Sequence, residues 1–236
     1  MTAILDVRTP SEIIRALLRL GHDPLLLPPA DGLPTPIASH PDMLLFFAED
    51  AIFCTESYFA KNRDLLLKIA RLAHRPIRAV TEEYGMEYPE DVLFNALPLG
   101  NHLFCHPQAT AREIRLNGAY TVLPVRQGYA KCATLPVGEN ALISADPSIL
   151  SAARAKGFDT LAISHGSIVL DGYDYGFIGG CASFAPYGGT DTLYLCGSAD
   201  THPEGEKMVT FCRTHGVTLH SLCKRPLTDV GTVFLL

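Results

Sequence analysis

The chain has 236 residues, of which 47% are hydrophobic, and its formal net charge is −6. A chain of this length can bury a sizeable core, and we expect a single domain spanning residues 1–236. The acidic charge argues against nucleic acid and anionic membranes as partners, because both require basic surface patches. A small cationic ligand fits the charge better.

The cysteine pattern and the first residues bear on the compartment. The seven cysteines are odd in number and include no Cys-x-x-Cys pair, which does not suit a disulfide framework. The first nine residues lack a basic stretch followed by an apolar run. No apolar segment reaches the length that spans a bilayer. The sequence therefore predicts a reduced, cytoplasmic protein.

A unit of roughly 40 to 55 residues recurs along the chain. Each unit has an amphipathic helix and then a short apolar strand. The helices are predicted at residues 11–20, 59–72, 109–117, 147–156 and 204–214. Four of them are expected to end at glycines suited to a helix C-cap, namely Gly21, Gly118, Gly157 and Gly216. The strands that follow are predicted at residues 25–27, 77–80, 120–125, 160–163 and 217–222.

After each of these strands, a polar residue is predicted to open the next strand. These openings are His40-Pro41-Asp42, Glu90-Asp91, Lys131-Cys132, Tyr173-Asp174 and Thr228-Asp229. The fifth unit is split, since the chain ends on its strand (residues 230–236) and begins with its helix. Joining the termini in this way closes a ring of units. A doubly wound α/β sheet is the alternative, but neither a dinucleotide-binding nor a P-loop glycine motif accompanies it.

Three short motifs resemble those of the pentein superfamily of guanidino-group-modifying enzymes. Residues 170–174 (Leu-Asp-Gly-Tyr-Asp) resemble its acidic-Gly-x-Asp element, and residues 39–43 (Ser-His-Pro-Asp-Met) its His-x-Asp element. Residues 128–136 resemble the glycine-rich segment that ends in the nucleophilic cysteine, here Cys132. The order of these elements agrees with the family if the chain is circularly permuted. The resemblance implies an α/β fold, a five-bladed β/α propeller with pseudo-fivefold symmetry.

The resemblance also implies an activity and a set of residues for it. We expect a hydrolase or amidinotransferase that acts on a small guanidino compound, arginine-like or agmatine-like. Cys132 is expected to form a covalent thiouronium intermediate, His40 to act as acid and base, and Asp229 to orient His40. Asp42 and Asp174 are expected to hold the guanidinium by bidentate hydrogen bonds. The family chemistry needs no cofactor or metal ion, and a homo-oligomer is compatible with the fold.

Several alternatives remain open at this point. A pentein-fold binding or structural protein would keep the ring without the chemistry. Cys132 is then an ordinary buried cysteine, and the histidine and aspartates satisfy loops and turns. Gly179-Gly180-Cys181 is a rival nucleophile segment. Arg78, Arg126 and Arg225 are equal candidates for binding a substrate carboxylate.

Overall fold

In a computed structural model, which describes residues 1–186 and 190–236, the recurring units form five small sheets. The strands are β1 (Thr2–Asp6), β2 (Asp23–Leu27), β3 (Phe46–Phe47), β4 (Ile52–Thr55), β5 (Ile77–Val80), β6 (Leu97–Leu99), β7 (His102–Cys105), β8 (Thr121–Pro124), β9 (Thr134–Val137), β10 (Ala141–Ser144), β11 (Asp159–Ala162), β12 (Ser183–Phe184), β13 (Thr192–Leu195), β14 (Thr218–Ser221) and β15 (Val233–Leu235). The α-helices are α1 (Ser11–Arg19), α2 (Pro41–Leu44), α3 (Glu56–Lys61), α4 (Arg63–Ala73), α5 (Arg112–Arg115), α6 (Pro147–Ala155) and α7 (Gly205–Thr214).

The units share one construction. In the sheets β3-β4-β5, β6-β7-β8 and β9-β10-β11, the first two strands form an antiparallel hairpin. The third strand returns parallel to the second after helices α3 and α4, helix α5 or helix α6, respectively. This order has a geometric reason, because a short turn suffices for antiparallel strands whereas parallel strands need a crossover. The predicted α/β repeat is therefore present.

The unit that joins the two chain ends includes a strand that the sequence pattern did not predict. Strand β1 precedes α1, is almost entirely buried, and pairs antiparallel with β15 and parallel with β2. Strand β12 adds to the same sheet, parallel to β15. An antiparallel bridge from Ala182 to Leu195 connects β12 with the β13-β14 pair. The C-terminal strand thus closes onto an N-terminal strand, with the predicted helix following it.

The predicted helices need two corrections. Residues 59–72 do not form one helix, because Asn62 leaves helical geometry (φ −123°, ψ 29°) and separates α3 from α4. The helix expected over residues 109–117 is only the four-residue α5. The four glycines expected at helix C-caps all have positive φ, between 73° and 84°, which glycine adopts without steric cost.

The polar residues expected to open strands lie instead in the segments that precede them. Asp42 is in the short helix α2, and Cys132 lies in a turn two residues before β9. Asp174 and Asp229 also lie in loops. Apolar side chains pack between the sheets and helices in clusters that surround these segments, for example around Met43 and Phe94. In the described residues, no helix is long and apolar enough to cross a bilayer.

Candidate functional site

The segments that precede the first strands of the five units are joined in a closed ring of hydrogen bonds. In chain order these bonds run from Asn95 Nδ2 to Asp42 O (3.3 Å), from Cys132 N to Asn95 Oδ1 (3.0 Å), from Gly179 N to Cys132 O (2.7 Å), from Thr232 N to Gly180 O (2.8 Å) and from Asp42 N to Gly231 O (3.1 Å). Each unit therefore contributes one segment, and every segment contacts the next. Residues far apart in sequence meet here, which is what a site assembled from several loops requires.

Asn95 is the ring residue that sequence reasoning missed. In the second unit the sequence predicted Glu90-Asp91 as the polar residues that open the strand. The residue that joins the ring is instead Asn95, which follows Phe94 and is fully buried. Its Oδ1 accepts from the backbone N–H groups of Lys131 (2.9 Å) and Cys132 (3.0 Å). A lone amide inside the apolar run of residues 92–97 is the signal that points to it, since a buried amide needs partners. Asp91 instead accepts a hydrogen bond from the Tyr129 hydroxyl.

Cys132 is buried and makes two polar contacts through its sulfur. The thiol donates to Asp42 Oδ2 at 3.0 Å, and Asn95 Nδ2 donates to the sulfur at 2.9 Å. Burial raises the pKa of Cys132 well above its ordinary value, and the charges of Asp42 and Asp229 raise it further. The resting group is therefore a neutral thiol. The two carboxylates thus disfavour the thiolate, although burial is the larger cause.

The His40 imidazole lies between two buried carboxylates. Its Nδ1 is 3.9 Å from Asp229 Oδ1, and its Nε2 is 3.7 Å from Asp6 Oδ2. Both separations are longer than hydrogen bonds, so the ring is held near the acids without being locked to either. Asp6, at the end of β1, also accepts from Ser39 Oγ at 2.8 Å. Sequence reasoning missed Asp6 because it missed its strand.

Asp229 is fixed by backbone donors. Its Oδ1 accepts from Gly231 N (2.9 Å) and its Oδ2 from Phe177 N (2.8 Å). Burial raises the pKa of Asp229, and the neighbouring His40 opposes that rise. Glycine at 231 is required by packing, since a Cβ there would lie 2.2 Å from His40 Cβ. The histidine and the aspartate are therefore held by one tightly packed loop.

A cavity of about 240 Å³ brings four of the five predicted site residues together. Its lining comprises Ile37, His40, Met43, Tyr129, Cys132, Leu170, Tyr173, Asp174, Tyr175, Phe177 and Asp229. Three of the aromatic rings contact one another: Tyr129 and Phe177 are tilted with centroids 5.8 Å apart, and Tyr175 meets Phe177 edge to face at 6.0 Å. Aromatic faces and carboxylates both attract a cation. The cavity is thus suited to a small, flat, positively charged ligand.

The two carboxylates predicted to hold a guanidinium occupy different places. Asp174 is exposed and lines the cavity. Asp42 is buried and is not among the lining residues; its Oδ2 is bonded to the Cys132 thiol and to Thr232 Oγ1, the latter at 2.7 Å. Asp42 therefore contacts the sulfur of Cys132 without being part of the cavity lining.

The remaining candidates lie outside the cavity. The thiol of Cys181, the rival nucleophile, donates to Ile178 O at 3.2 Å and is absent from the lining. Arg78 pairs with Asp50 at 2.8 Å, while Arg126 and Arg225 are exposed, and none of these arginines lines the cavity. In the part of the chain that the structure describes, no three His, Cys, Asp or Glu residues are grouped to hold a metal ion.

Comparison with solved structures shows which known fold the chain has. The fold is similar to that of a DDAH from Pseudomonas aeruginosa solved in complex with citrulline (TM-score 0.57, 13% identity, 93% of this chain and 91% of that chain). It is also similar to an agmatine deiminase from C. jejuni (TM-score 0.54, 8% identity, 94% and 86%). A third match is the amidinotransferase SxtG of saxitoxin biosynthesis from Microseira wollei (TM-score 0.50, 11% identity, 93% and 87%). The chain thus has the pentein fold of the guanidino-group-modifying enzymes.

Sequence comparison gives the narrower placement. Residues 4–234 match a family described as a family of unknown function (DUF6873), and the chain belongs to that family. No curated protein matches the chain by sequence.

Proposed function

We propose that this protein is a single-domain, five-bladed β/α propeller with pseudo-fivefold symmetry that modifies a small guanidino compound. Two observations support the architecture: the ring of hydrogen bonds that passes once through every unit, and the pairing of β15 with β1 across the termini. The activity is that of a hydrolase or amidinotransferase working through a covalent Cys132 intermediate. The observation that carries it is the convergence of Cys132, His40, Asp174 and Asp229 on one cavity.

The proposed reaction begins with the neutral thiol. A guanidinium enters the aromatic cavity, and Asp174 binds it through charge-assisted hydrogen bonds. Its positive charge offsets the carboxylates that disfavour a thiolate, so Cys132 loses its proton only when the ligand is present. The sulfur electron pair then forms a bond to the central carbon of the guanidinium.

His40 completes the exchange of groups. It gives a proton to the departing nitrogen, whose bond to carbon breaks, and leaves a thiouronium on Cys132. It then takes a proton from the incoming water or amine, which attacks the same carbon and releases the sulfur. Asp229 keeps the imidazole turned toward the cavity; their closest atoms are 3.9 Å apart. Hydrolysis and amidino transfer differ only in this second nucleophile.

A non-catalytic, guanidine-binding pentein is the second candidate, and one observation favours it. Cys132 is only 3% exposed, and its sulfur already has a hydrogen-bond acceptor and a donor within the ring. A cysteine in that position also serves to close the ring. In that case the cavity binds its cation without bond breaking.

Covalent labelling separates the two candidates. The intact protein is treated with 2-chloroacetamidine, a cationic amidine, and in parallel with the neutral chloroacetamide, and each cysteine is followed by peptide mass spectrometry. The enzyme predicts that the amidine labels Cys132 at least about tenfold faster than the amide, and that Asp174→Ala and His40→Ala abolish this preference. Cys181, buried outside the cavity, is the internal control. Labelling of Cys132 by either reagent no faster than that of Cys181 would move the assignment to the non-catalytic protein, whose Cys132 only closes the ring.

A substrate screen then fixes the reaction. Labelled and unlabelled protein are compared for release of ammonia, amine or urea from arginine-like and agmatine-like compounds, with and without added amine acceptors. Turnover that Cys132→Ser abolishes identifies the substrate, and its dependence on the acceptor distinguishes transfer from hydrolysis.

A further inference from the structure

Lys131 is a fully buried lysine beside the proposed nucleophile. Its side chain does not line the ligand cavity; the Nζ lies 3.0 Å from Thr232 Oγ1 and 4.8 Å from the centre of the Phe184 ring. Burial lowers the pKa of Lys131, and the charge of Asp42 is the largest opposing influence. Taking an ammonium out of water is costly unless a counter-charge is near. Asp42, reached through Thr232, supplies that counter-charge.

A continuous chain of polar contacts leads from this lysine to the sulfur. Thr232 Oγ1 accepts a hydrogen bond from Lys131 Nζ and lies 2.7 Å from Asp42 Oδ2. Asp42 Oδ2 also accepts a hydrogen bond from the Cys132 thiol at 3.0 Å. The neighbours Lys131 and Cys132 thus point to opposite sides of the ring and meet again at one carboxylate.

Thr232 holds its hydroxyl in this position in spite of an unfavourable backbone conformation. Its φ is 69°, in the left-handed region, where a β-branched residue is unfavourable. The hydroxyl, with one proton, has two acceptors within reach, Asp42 Oδ2 and Gly179 O (3.0 Å). It can therefore donate to Asp42 while that group is anionic and turn to the carbonyl when it is not.

We propose that Asp42 is the base that takes the proton of Cys132, and that Lys131 and Thr232 are positioning residues that hold the Asp42 carboxylate against the thiol. This inference rests on the proposed function. In the step, the S–H bond of Cys132 breaks, an O–H bond forms at Asp42 Oδ2, and the electron pair left on sulfur attacks the guanidinium carbon. Until the sulfur attacks, the Lys131 ammonium faces a thiolate in place of the carboxylate. Asp42 acts on the thiol and not as a guanidinium ligand.

The charges that face the sulfur fix the expected signs. Asp42 and Asp229 disfavour the thiolate, whereas Lys131 favours it. The other ionisable groups that line the adjacent cavity are His40, Asp174 and the tyrosines Tyr129, Tyr173 and Tyr175. Iodoacetamide alkylation follows the fraction of thiolate in equilibrium with solvent and does not require proton transfer to Asp42. Removing Lys131 should therefore slow Cys132 alkylation, and removing the charge of Asp42 should accelerate it. Turnover of a guanidino compound does require the transfer, so Asp42→Asn should lose turnover although its alkylation is faster.

The test is the rate of Cys132 alkylation by neutral iodoacetamide between pH 6 and 10, measured on the full-length protein with half-exposed Cys223 as reference. At pH 8 we expect Lys131→Met to label at least about tenfold more slowly than wild type, and Asp42→Asn several-fold faster. Thr232→Val removes the hydroxyl that accepts from Lys131, so its labelling rate should fall as that of Lys131→Met does. Thr232→Ser keeps the hydroxyl, and its rate should stay within about threefold of wild type. If Lys131→Met does not fold, the difference in labelling rate between Thr232→Val and Thr232→Ser tests the proposal instead.

Equal rates in all variants, or shifts of Lys131→Met and Asp42→Asn in the same direction, would overturn the proposal, because groups that merely fill the ring give no opposite signs. The reagent is not a guanidine. If the amidine does not label Cys132 faster than the amide, only the proposed function is contradicted. If the variants do not change the iodoacetamide rate as stated, only the role of Lys131 and Thr232 is contradicted.

Discussion

Replacing Asn95 with alanine tests whether the hydrogen-bonded ring holds the fold together. The side chain is fully buried, and its Oδ1 is the acceptor for the backbone N–H of Cys132 at 3.0 Å and of Lys131 at 2.9 Å. Lys131 N keeps a longer contact to the Asn95 carbonyl (3.4 Å), so truncation leaves chiefly the N–H of Cys132 without an acceptor. A buried unsatisfied donor costs about 1–3 kcal/mol, and the other lost bonds add about 1 kcal/mol.

The free energy of unfolding of Asn95→Ala should therefore fall by about 2–4 kcal/mol, which corresponds to a drop in Tm of roughly 5–15 °C for a chain of this size. The measurement is urea unfolding followed by circular dichroism. Asn62→Ala is the matched control, because Asn62 is partly exposed and its amide makes one hydrogen bond, to Tyr58 O at 3.1 Å. A loss in Asn95→Ala no larger than the control, which we expect below about 1 kcal/mol, refutes the structural role of the ring.

Three further changes test the site. Cys132→Ser can keep both hydrogen bonds of the thiol, so we expect it to abolish turnover while thermal denaturation shows a loss below about 1 kcal/mol. Gly231→Ala places a Cβ 2.2 Å from His40 Cβ at φ 69°, and we expect unfolding in urea to show a loss of about 1–3 kcal/mol together with weakened amidine labelling. The folded-state pKa of Asp229 is raised, so its folded form binds the proton more tightly, and stability should decline as pH rises from 3.8 through that pKa. Asp229→Asn should lack this decline, and a pH series of urea midpoints on both proteins shows it; identical pH profiles would contradict the raised pKa.

The sequence predicted the repeating unit because its signals are local. Helical spacing of apolar residues and a glycine stop act within about ten residues, and all four predicted C-cap glycines have positive φ. Strand β1 was missed because a five-residue strand carries little periodicity, and its pairing with β15 depends on residues from the other end of the chain. The break at Asn62 depends equally on tertiary context, which can override a continuous apolar pattern.

The site residues also differ in whether a local motif could identify them. His40, Cys132, Asp174 and Asp229 could be selected from short motifs, and the structure places them around one cavity. The resemblance placed Asp42 beside the guanidinium, but its carboxylate contacts Thr232, 190 residues away, and Cys132, 90 residues away. No local pattern encodes such separations. Similarly, no local pattern shows that Lys131 and Cys132, neighbours in a turn, meet at one carboxylate, since the lysine reaches Asp42 through Thr232.

The ring couples the stability of the fold to the reactivity of the cysteine. Asp42 Oδ2 accepts from both the thiol and Thr232, and Asn95 binds both the sulfur and the backbone of the same cysteine. Any ligand that draws the proton from Cys132 must therefore break a bond that also joins two units of the ring. A cation in the cavity supplies the compensating charge, whereas a neutral ligand of the same shape supplies none. If the proposed reaction is correct, we expect ligand charge, more than ligand shape, to decide which compounds react at this site.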